Sequence, residues 1–293
     1  MQQRKILVTG ATGKTGSRTV QYLREAGHSV RAMVHREDER SEALKAAGAE
    51  VMVGELLNHD DVIRATAGMQ GAYLCYPVQP GLIQVTVYFA DAARRAGLDV
   101  VLNMSQMPAR EGASSNAARD HWLSERLLDR SGVPTVHVRP TYMAEWITYP
   151  WVRDTILKQG KITLPFGNGR HAPLSASDQG RVLAAILGNP AEHIGKTYPL
   201  YGIKELSQAE IASAVGKALG IDVVYSPSTI EEYHTHLQTY PLSKHMIQHF
   251  LETAVDYQNG VFSGMNDVVE RIIGRPPQTI EEFIADKRHV YNV

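Results

Sequence analysis

The feature that most constrains this chain is a glycine-spaced turn close to its start. Residues 10–16 read GATGKTG, directly after the apolar run Lys5–Thr9 and directly before a segment of helical spacing. Glycines let the backbone turn tightly and approach a bound group closely. A helix opening on such a turn offers free N–H groups, and the positive end of its dipole, to a phosphate. The spacing G-x-x-G-x-x-G is close to the dinucleotide fingerprint G-x-G-x-x-G. Gly10, Thr12, Gly13, Lys14, Thr15 and Gly16 are therefore predicted to cradle a dinucleotide pyrophosphate. A Walker A loop is excluded: Gly13-Lys14-Thr15 is present, but the upstream glycine is missing.

The turn heads a regular alternation. Further strands are predicted at Ser29–Val34, Glu50–Val53, Gly71–Tyr76, Asp99–Met104 and Pro134–Arg139. Helices are predicted between them at Gly13–Ala26, Ser41–Ala47, Asp60–Ala67, Gln84–Ala96 and Asn116–Arg130. Strands separated by helices make βαβ units and a mostly parallel sheet. The expected fold is α/β, a doubly wound parallel sheet that binds ligands at the carboxyl ends of its strands. Residues 1–140 form the nucleotide-binding core. Residues 141–293 form a mixed region that returns to the core, with a helix at Ser177–Leu187 and a strand at Tyr198–Tyr201, followed by a smaller lobe. That lobe starts from a helix with a capping box at Ser207 and Glu210, is helical from Ile230 to the end, and is expected to cover the carboxyl end of the sheet.

Composition closes off several other functions. The 30 Lys and Arg against 31 Asp and Glu give no broad basic surface, so direct nucleic-acid binding is not expected. The single cysteine, Cys75, excludes an internal disulfide framework and any multi-cysteine zinc site; it reads as a small buried apolar residue within a strand. His245 and His249 are four apart, but Met246 stands where His-Glu-x-x-His needs its glutamate, so their spacing reads as chance and no metal is expected. His234 and His236 read as surface residues. No apolar run reaches the roughly 18 residues of a membrane span, and the N-terminus lacks an apolar signal segment. A cytoplasmic protein is expected, with a small-molecule partner; a homodimer is admissible.

The end of the second strand bears on the cofactor. It reads Val34-His35-Arg36, without the acidic residue that accepts a hydrogen bond from the ribose of NAD. Arg36 offers a planar, permanently charged fork for a 2′-phosphate. NADP(H) is the expected cofactor, with NAD(H) admissible.

Five segments, VTGATGKTG, Gly54-Glu55, YLCYP, SERLLDRSGVPTVHVRP and GRPPQTIEEF, together resemble the NmrA-like family of atypical short-chain dehydrogenases/reductases. That family includes NAD(P)H-dependent quinone, azo-dye and triphenylmethane-dye reductases, and nucleotide-sensing regulators. The resemblance implies a Rossmann domain of strand order 3-2-1-4-5-6-7 with a small C-terminal substrate lobe. It places Glu55 and Leu56 beside the adenine, and Tyr76 and Pro77 near the nicotinamide ribose. The superfamily's Tyr-x-x-x-Lys pair is absent. Aligned on Glu125, His121 falls at the lysine and Ala117 at the tyrosine, while Ser105 aligns with the superfamily's serine.

An imidazole at His121 could bond the nicotinamide ribose or pass a proton. His121, Ser105 and Tyr142 are the expected catalytic residues. Tyr142, Trp146, Tyr149 and Trp151 form a dense aromatic group able to stack on a flat substrate. Without the acid tyrosine, the expected chemistry is hydride transfer to a conjugated, electron-poor small molecule of quinone, dye, imine or enone type. The alternative is a non-catalytic NAD(P)-binding redox sensor acting through a protein partner.

Overall fold

The structure is a computed structural model that describes residues 2–291; Met1 and the last two residues of the helical reading lie outside them. The first half is the anticipated alternation: β1 (Lys5–Val8), α1 (Lys14–Glu25), β2 (Ser29–Val34), α2 (Glu39–Ala46), β3 (Glu50–Val53), α3 (His59–Thr66), β4 (Gly71–Leu74), α4 (Leu82–Ala96), β5 (Val100–Met104), α5 (Asn116–Arg130) and β6 (Thr135–Pro140). Local chemistry sets many of the ends. Asp38, Asn58 and Ser115 cap α2, α3 and α5 with side-chain oxygens on free N–H groups. Gly97 ends α4 in the left-handed conformation that a side chain would disfavour.

After β6 come a short 3₁₀ turn (Ala144–Thr148), α6 (Pro150–Gln159), β7 (Lys161–Ile162), β8 (Arg170–His171), α7 (Ala176–Gly188), β9 (Thr197–Leu200), β10 (Leu206–Ser207), α8 (Gln208–Leu219) and β11 (Val224–Tyr225). The chain closes with α9 (Ile230–Leu237), α10 (Lys244–Gln258), α11 (Val268–Ile273), α12 (Ile280–Asp286) and a final 3₁₀ turn.

The main sheet is seven-stranded and parallel, in the order β3-β2-β1-β4-β5-β6-β9. This is the anticipated Rossmann order, with β9 as the seventh strand. Central strands are apolar on both faces because helices cover both. Val20, Leu23, Val182, Leu183 and Val269 pack one side, from α1, α7 and α11. Val62, Val85, Phe89 and Leu128 pack the other, from α3, α4 and α5. A third apolar core unites α6, α8, α9, α10 and α12 into the lobe. Two small sheets, β8 with β10 and β7 with β11, stitch the mixed region to it.

Two details depart from the sequence reading. Strand β4 ends at Leu74, so Cys75 and Tyr76 belong to the loop at its carboxyl end. The unanticipated helix α6 starts with Pro150 in its first turn and stops at a left-handed Gly160.

Candidate functional site

The glycine turn connects β1 to α1 at the switch point between β1 and β4. Gly10 has φ +57° and accepts a 2.9 Å hydrogen bond from the N–H of Gly13. The glycines are not equivalent. A Cβ on Gly16 would lie 2.1 Å from the Gly10 carbonyl oxygen, so that glycine lets α1 pack on the turn. A Cβ on Gly13 would lie 3.1 Å from the same oxygen, a much milder approach. Unlike α2, α3, α5 and α7, α1 has no capping side chain on its first amides. These glycine-shaped walls and uncapped amides fit a pyrophosphate.

A cleft of about 680 Å³ runs across this turn. Gly10, Thr12, Gly13, Lys14 and Thr15 line it, with Glu55 and Leu56 after β3, and Tyr76 and Pro77 after β4. Gly16 is buried behind the turn. At the far end stand His35, whose Nδ1 meets the Glu55 carboxylate, and Arg40, which binds Asp38 at 2.5 Å. Arg36 is not among the lining residues; its side chain is 74% exposed, and its Nε lies 4.0 Å from Asp38. The arginine on the wall is Arg40, one helical turn further along the chain.

The cleft opens into a second cavity of about 370 Å³, and the two share Thr15, Cys75, Tyr76, Met143 and Tyr149. Cys75 thus stands at the seam between the cavities, and burial pushes its thiol pKa up. The second cavity brings together Ser105, His121, Tyr142, Trp146, Tyr149 and Trp151. Tyr142 is the hub of the rings, edge-on to Phe166 at 5.3 Å and Phe262 at 5.6 Å, and 6.0 Å from Trp146. Tyr149 lies 4.8 Å from Trp151 and carries the Lys14 ammonium 4.0 Å over its ring. Desolvation lowers the Lys14 pKa.

This pocket is uncharged. No Asp, Glu, Lys or Arg among the described residues lines it. Burial pushes the His121 pKa down to about 4, so its imidazole is neutral near pH 7. Glu125 points away from the pocket. It is fully buried and grips Arg139 with two bonds of 2.8 and 2.5 Å.

The walls nevertheless present polar atoms without partners among the described residues: Ser105 Oγ, Gln106 Nε2, His121 Nδ1, Trp146 Nε1 and both amide atoms of Gln179. Buried polar groups ordinarily find partners. Their concentration on one apolar cavity leaves donors and acceptors free for a ligand, which makes it the candidate substrate pocket. Gln106 and Gln179 carry no motif that would single them out in sequence.

His249 was also missed: the sequence offered it only as half of a chance four-residue spacing with His245, without a place in the site. It is buried, lines the same cavity, and lies 2.9 Å from Ser115 Oγ through Nδ1. Its four-residue spacing carries no metal site; no cluster of metal ligands occurs among the described residues. No described helix is long and apolar enough to cross a membrane.

Comparison with known proteins finds a family and several relatives of the same fold. The model of the NmrA-like family matches residues 2–284. An NAD(P)H azoreductase of Xenophilus azovorans is 27% identical over 281 residues, covering 95% of this chain and 96% of the azoreductase. The structure of an NADPH-dependent quinone oxidoreductase of Escherichia coli complexed with NADPH superposes with a TM-score of 0.85 at 22% identity, over 96% of this chain and 99% of that one. A negative transcriptional regulator, NmrA, in complex with NADP superposes with a TM-score of 0.82 at 19% identity, over 99% of this chain and 97% of that one.

Proposed function

The chain belongs to the NmrA-like family, and from that premise we propose that it is an NAD(P)H-dependent reductase of small, flat, conjugated acceptors. The observation that carries this reading is the seam at Thr15, Cys75, Tyr76, Met143 and Tyr149, where a cleft shaped for a dinucleotide opens into an uncharged aromatic pocket with unpartnered polar atoms. The azoreductase and quinone oxidoreductase relatives favour the same class of reaction.

Bound NAD(P)H supplies the hydride; the protein supplies position and electrostatics. Gly10, Gly13 and the first amides of α1 hold the pyrophosphate. Tyr76 and Pro77 flank the nicotinamide ribose, while Tyr142, Trp146, Tyr149 and Trp151 hold the acceptor flat. His121 is neutral and hydrogen-bonds rather than delivering a proton as an imidazolium. Ala117 leaves no phenol at the position of the superfamily's acid. Acceptors whose conjugation spreads the incoming electron pair need such an acid least.

NADP(H) is the preferred cofactor in this reading, with Arg40 on the cleft wall available to the 2′-phosphate. Titration of the purified protein with NADPH and NADH, followed by cofactor oxidation with quinones, azo dyes and enones, tests it. Tighter NADPH binding that Arg40→Ala weakens by about 10-fold, the size of one charge-assisted contact, together with turnover of at least one acceptor class, is expected. Equal affinities for the two cofactors would remove the NADP assignment. Tight NADPH binding with no oxidation by any acceptor would favour the sensor role, a reading that rests on the structural likeness to the transcriptional regulator.

A further inference from the structure

The mixed segment between β5 and α5 is clamped by a helix of the lobe. Asp256 on α10 binds Arg110 at 2.9 and 2.5 Å. Gln248, also on α10, donates to the Ser114 carbonyl at 3.0 Å and accepts from the Asn116 N–H at 3.1 Å. Between these two anchors, His249 is held against Ser115, the residue that caps α5.

The capping bond fixes the tautomer of His249. Ser115 Oγ accepts a hydrogen bond from the Ala118 N–H at 3.2 Å, and Ser115 is fully buried. A buried hydroxyl proton needs an acceptor. The only one at hand among the described residues is His249 Nδ1, at 2.9 Å. Thr253 Oγ1 stands 3.5 Å from the same nitrogen. Nδ1 therefore accepts, and the ring proton sits on Nε2. That nitrogen has no hydrogen-bond partner among the described residues, and the ring lines the aromatic cavity. Burial above all, with the repulsion that a protonated His121 or His245 would add, holds the imidazole pKa down at about 3, so the ring remains a neutral donor.

We propose that His249, oriented by the hydroxyl of Ser115, donates its Nε2–H to the acceptor's carbonyl oxygen and so stands in for the missing acid tyrosine. The proposal rests on the reductase reading and extends it to a substrate class: conjugated carbonyl compounds, quinones or enones, in preference to acceptors without such an oxygen. The acceptor gains a hydride at one end of its conjugated system, and two electrons leave the cofactor with it. The electron pair moves through the system onto the carbonyl oxygen at the other end. That oxyanion receives the His249 hydrogen bond and then takes a proton from water. His249 keeps its own proton throughout. It acts as a fixed dipole aimed at developing charge, in a site where little reorganisation is needed. Ser115 is a positioning residue, acting through the tautomer it imposes.

The test pairs kinetics with a readout that does not depend on turnover. His249→Leu removes the donor at similar volume, and His249→Gln keeps an N–H near the Nε2 position. With duroquinone as acceptor, His249→Leu should lower kcat by about 10²-fold, the cost of one oxyanion donor, while NADPH affinity stays within about 3-fold. His249→Gln should recover at least about 10-fold of that loss. Imidazole nitrogen NMR of the cofactor-free protein should show His249 as the Nε2–H tautomer, with the Nε2 resonance shifting when duroquinone is added. A His249→Leu enzyme within about 3-fold of wild type, well below a donor's effect, or an Nδ1–H tautomer, overturns the proposal. If the wild type oxidises no NADPH, the reductase reading falls by itself. The duroquinone titration then decides the hydrogen bond alone: a shifted Nε2 resonance upholds it, and an unmoved one overturns it.

Discussion

A single glycine can serve the fold or the ligand, and the three in the first turn divide that work. A Cβ on Gly16 meets backbone at 2.1 Å, a contact no rotamer change relieves. Gly16→Ala should therefore shift α1 and cost at least about 1–3 kcal/mol, the range for overpacking. Gly13 has an ordinary extended backbone, φ −78° and ψ 173°, and milder crowding, but it faces the cleft. Gly13→Val should leave thermal unfolding within a few degrees of wild type and lower NADPH affinity by more than about 10-fold, since its side chain takes the place of the phosphate. Thermal melts and cofactor titrations of both variants check the division. A folded Gly13→Val protein that binds normally, or a Gly16→Ala protein of unchanged stability, would contradict it.

The turn was legible in sequence because its chemistry is local: seven residues between a strand and a helix. Arg36 shows the limit of local reading. The charged run 36–40 puts several side chains near the end of β2, and only the first turn of α2 decides that Arg40 lines the cleft. His249 shows the limit more sharply, because its partner Ser115 is 134 residues away.

Among the elements, periodicity revealed the strands and the helices that pack on them, since both faces of the sheet impose a simple apolar pattern. Helix α6 escaped it. Its buried face runs through Trp151, Val152, Thr155 and Ile156, so a hydroxyl interrupts the apolar stripe, and glycine and proline clusters follow. The junction of α5 with β6 carries a buried charge pair. Glu125 is fully buried, with both carboxylate oxygens on Arg139. Removing one partner of such a pair strands the other, whereas replacing both with apolar residues costs much less. Glu125→Leu should cost about 3 kcal/mol in urea unfolding, and the double change with Arg139→Leu should recover part of it. A single variant as stable as wild type would show that the pair contributes nothing to docking α5 on the sheet.

Across the whole molecule, three neutral imidazoles sit in or behind the cavity. Burial lowers the pKa of His121 to about 4 and of His171 to about 3; burial and neighbouring charge lower His249 to about 3. Each folded value lies below the ordinary histidine value of 6.5. The unfolded chain therefore binds more protons between these values, and stability rises with pH across that window. The contribution is complete above about pH 6.5 and is lost as pH falls towards 4 and then 3. Unfolding free energies from urea titrations at about pH 7 and pH 5 should differ by roughly 1–2 kcal/mol per buried ring, and His249→Leu should flatten part of the slope. A stability profile flat between those two conditions would place the rings in contact with water.

In the proposed reaction, the dinucleotide cleft delivers hydride into an aromatic pocket lined by no charged side chain. Steady-state NADPH oxidation with a matched pair of naphthoquinones, one neutral and one sulfonated, tests it most directly. A pocket whose lining carries no cation should desolvate a sulfonate at a cost of several kcal/mol. Efficient reduction of the neutral quinone, with kcat/KM for the sulfonated one lower by at least about 10²-fold, is the predicted result. Equal kcat/KM for the two, or NADPH bound tightly and oxidised by neither, would contradict the account.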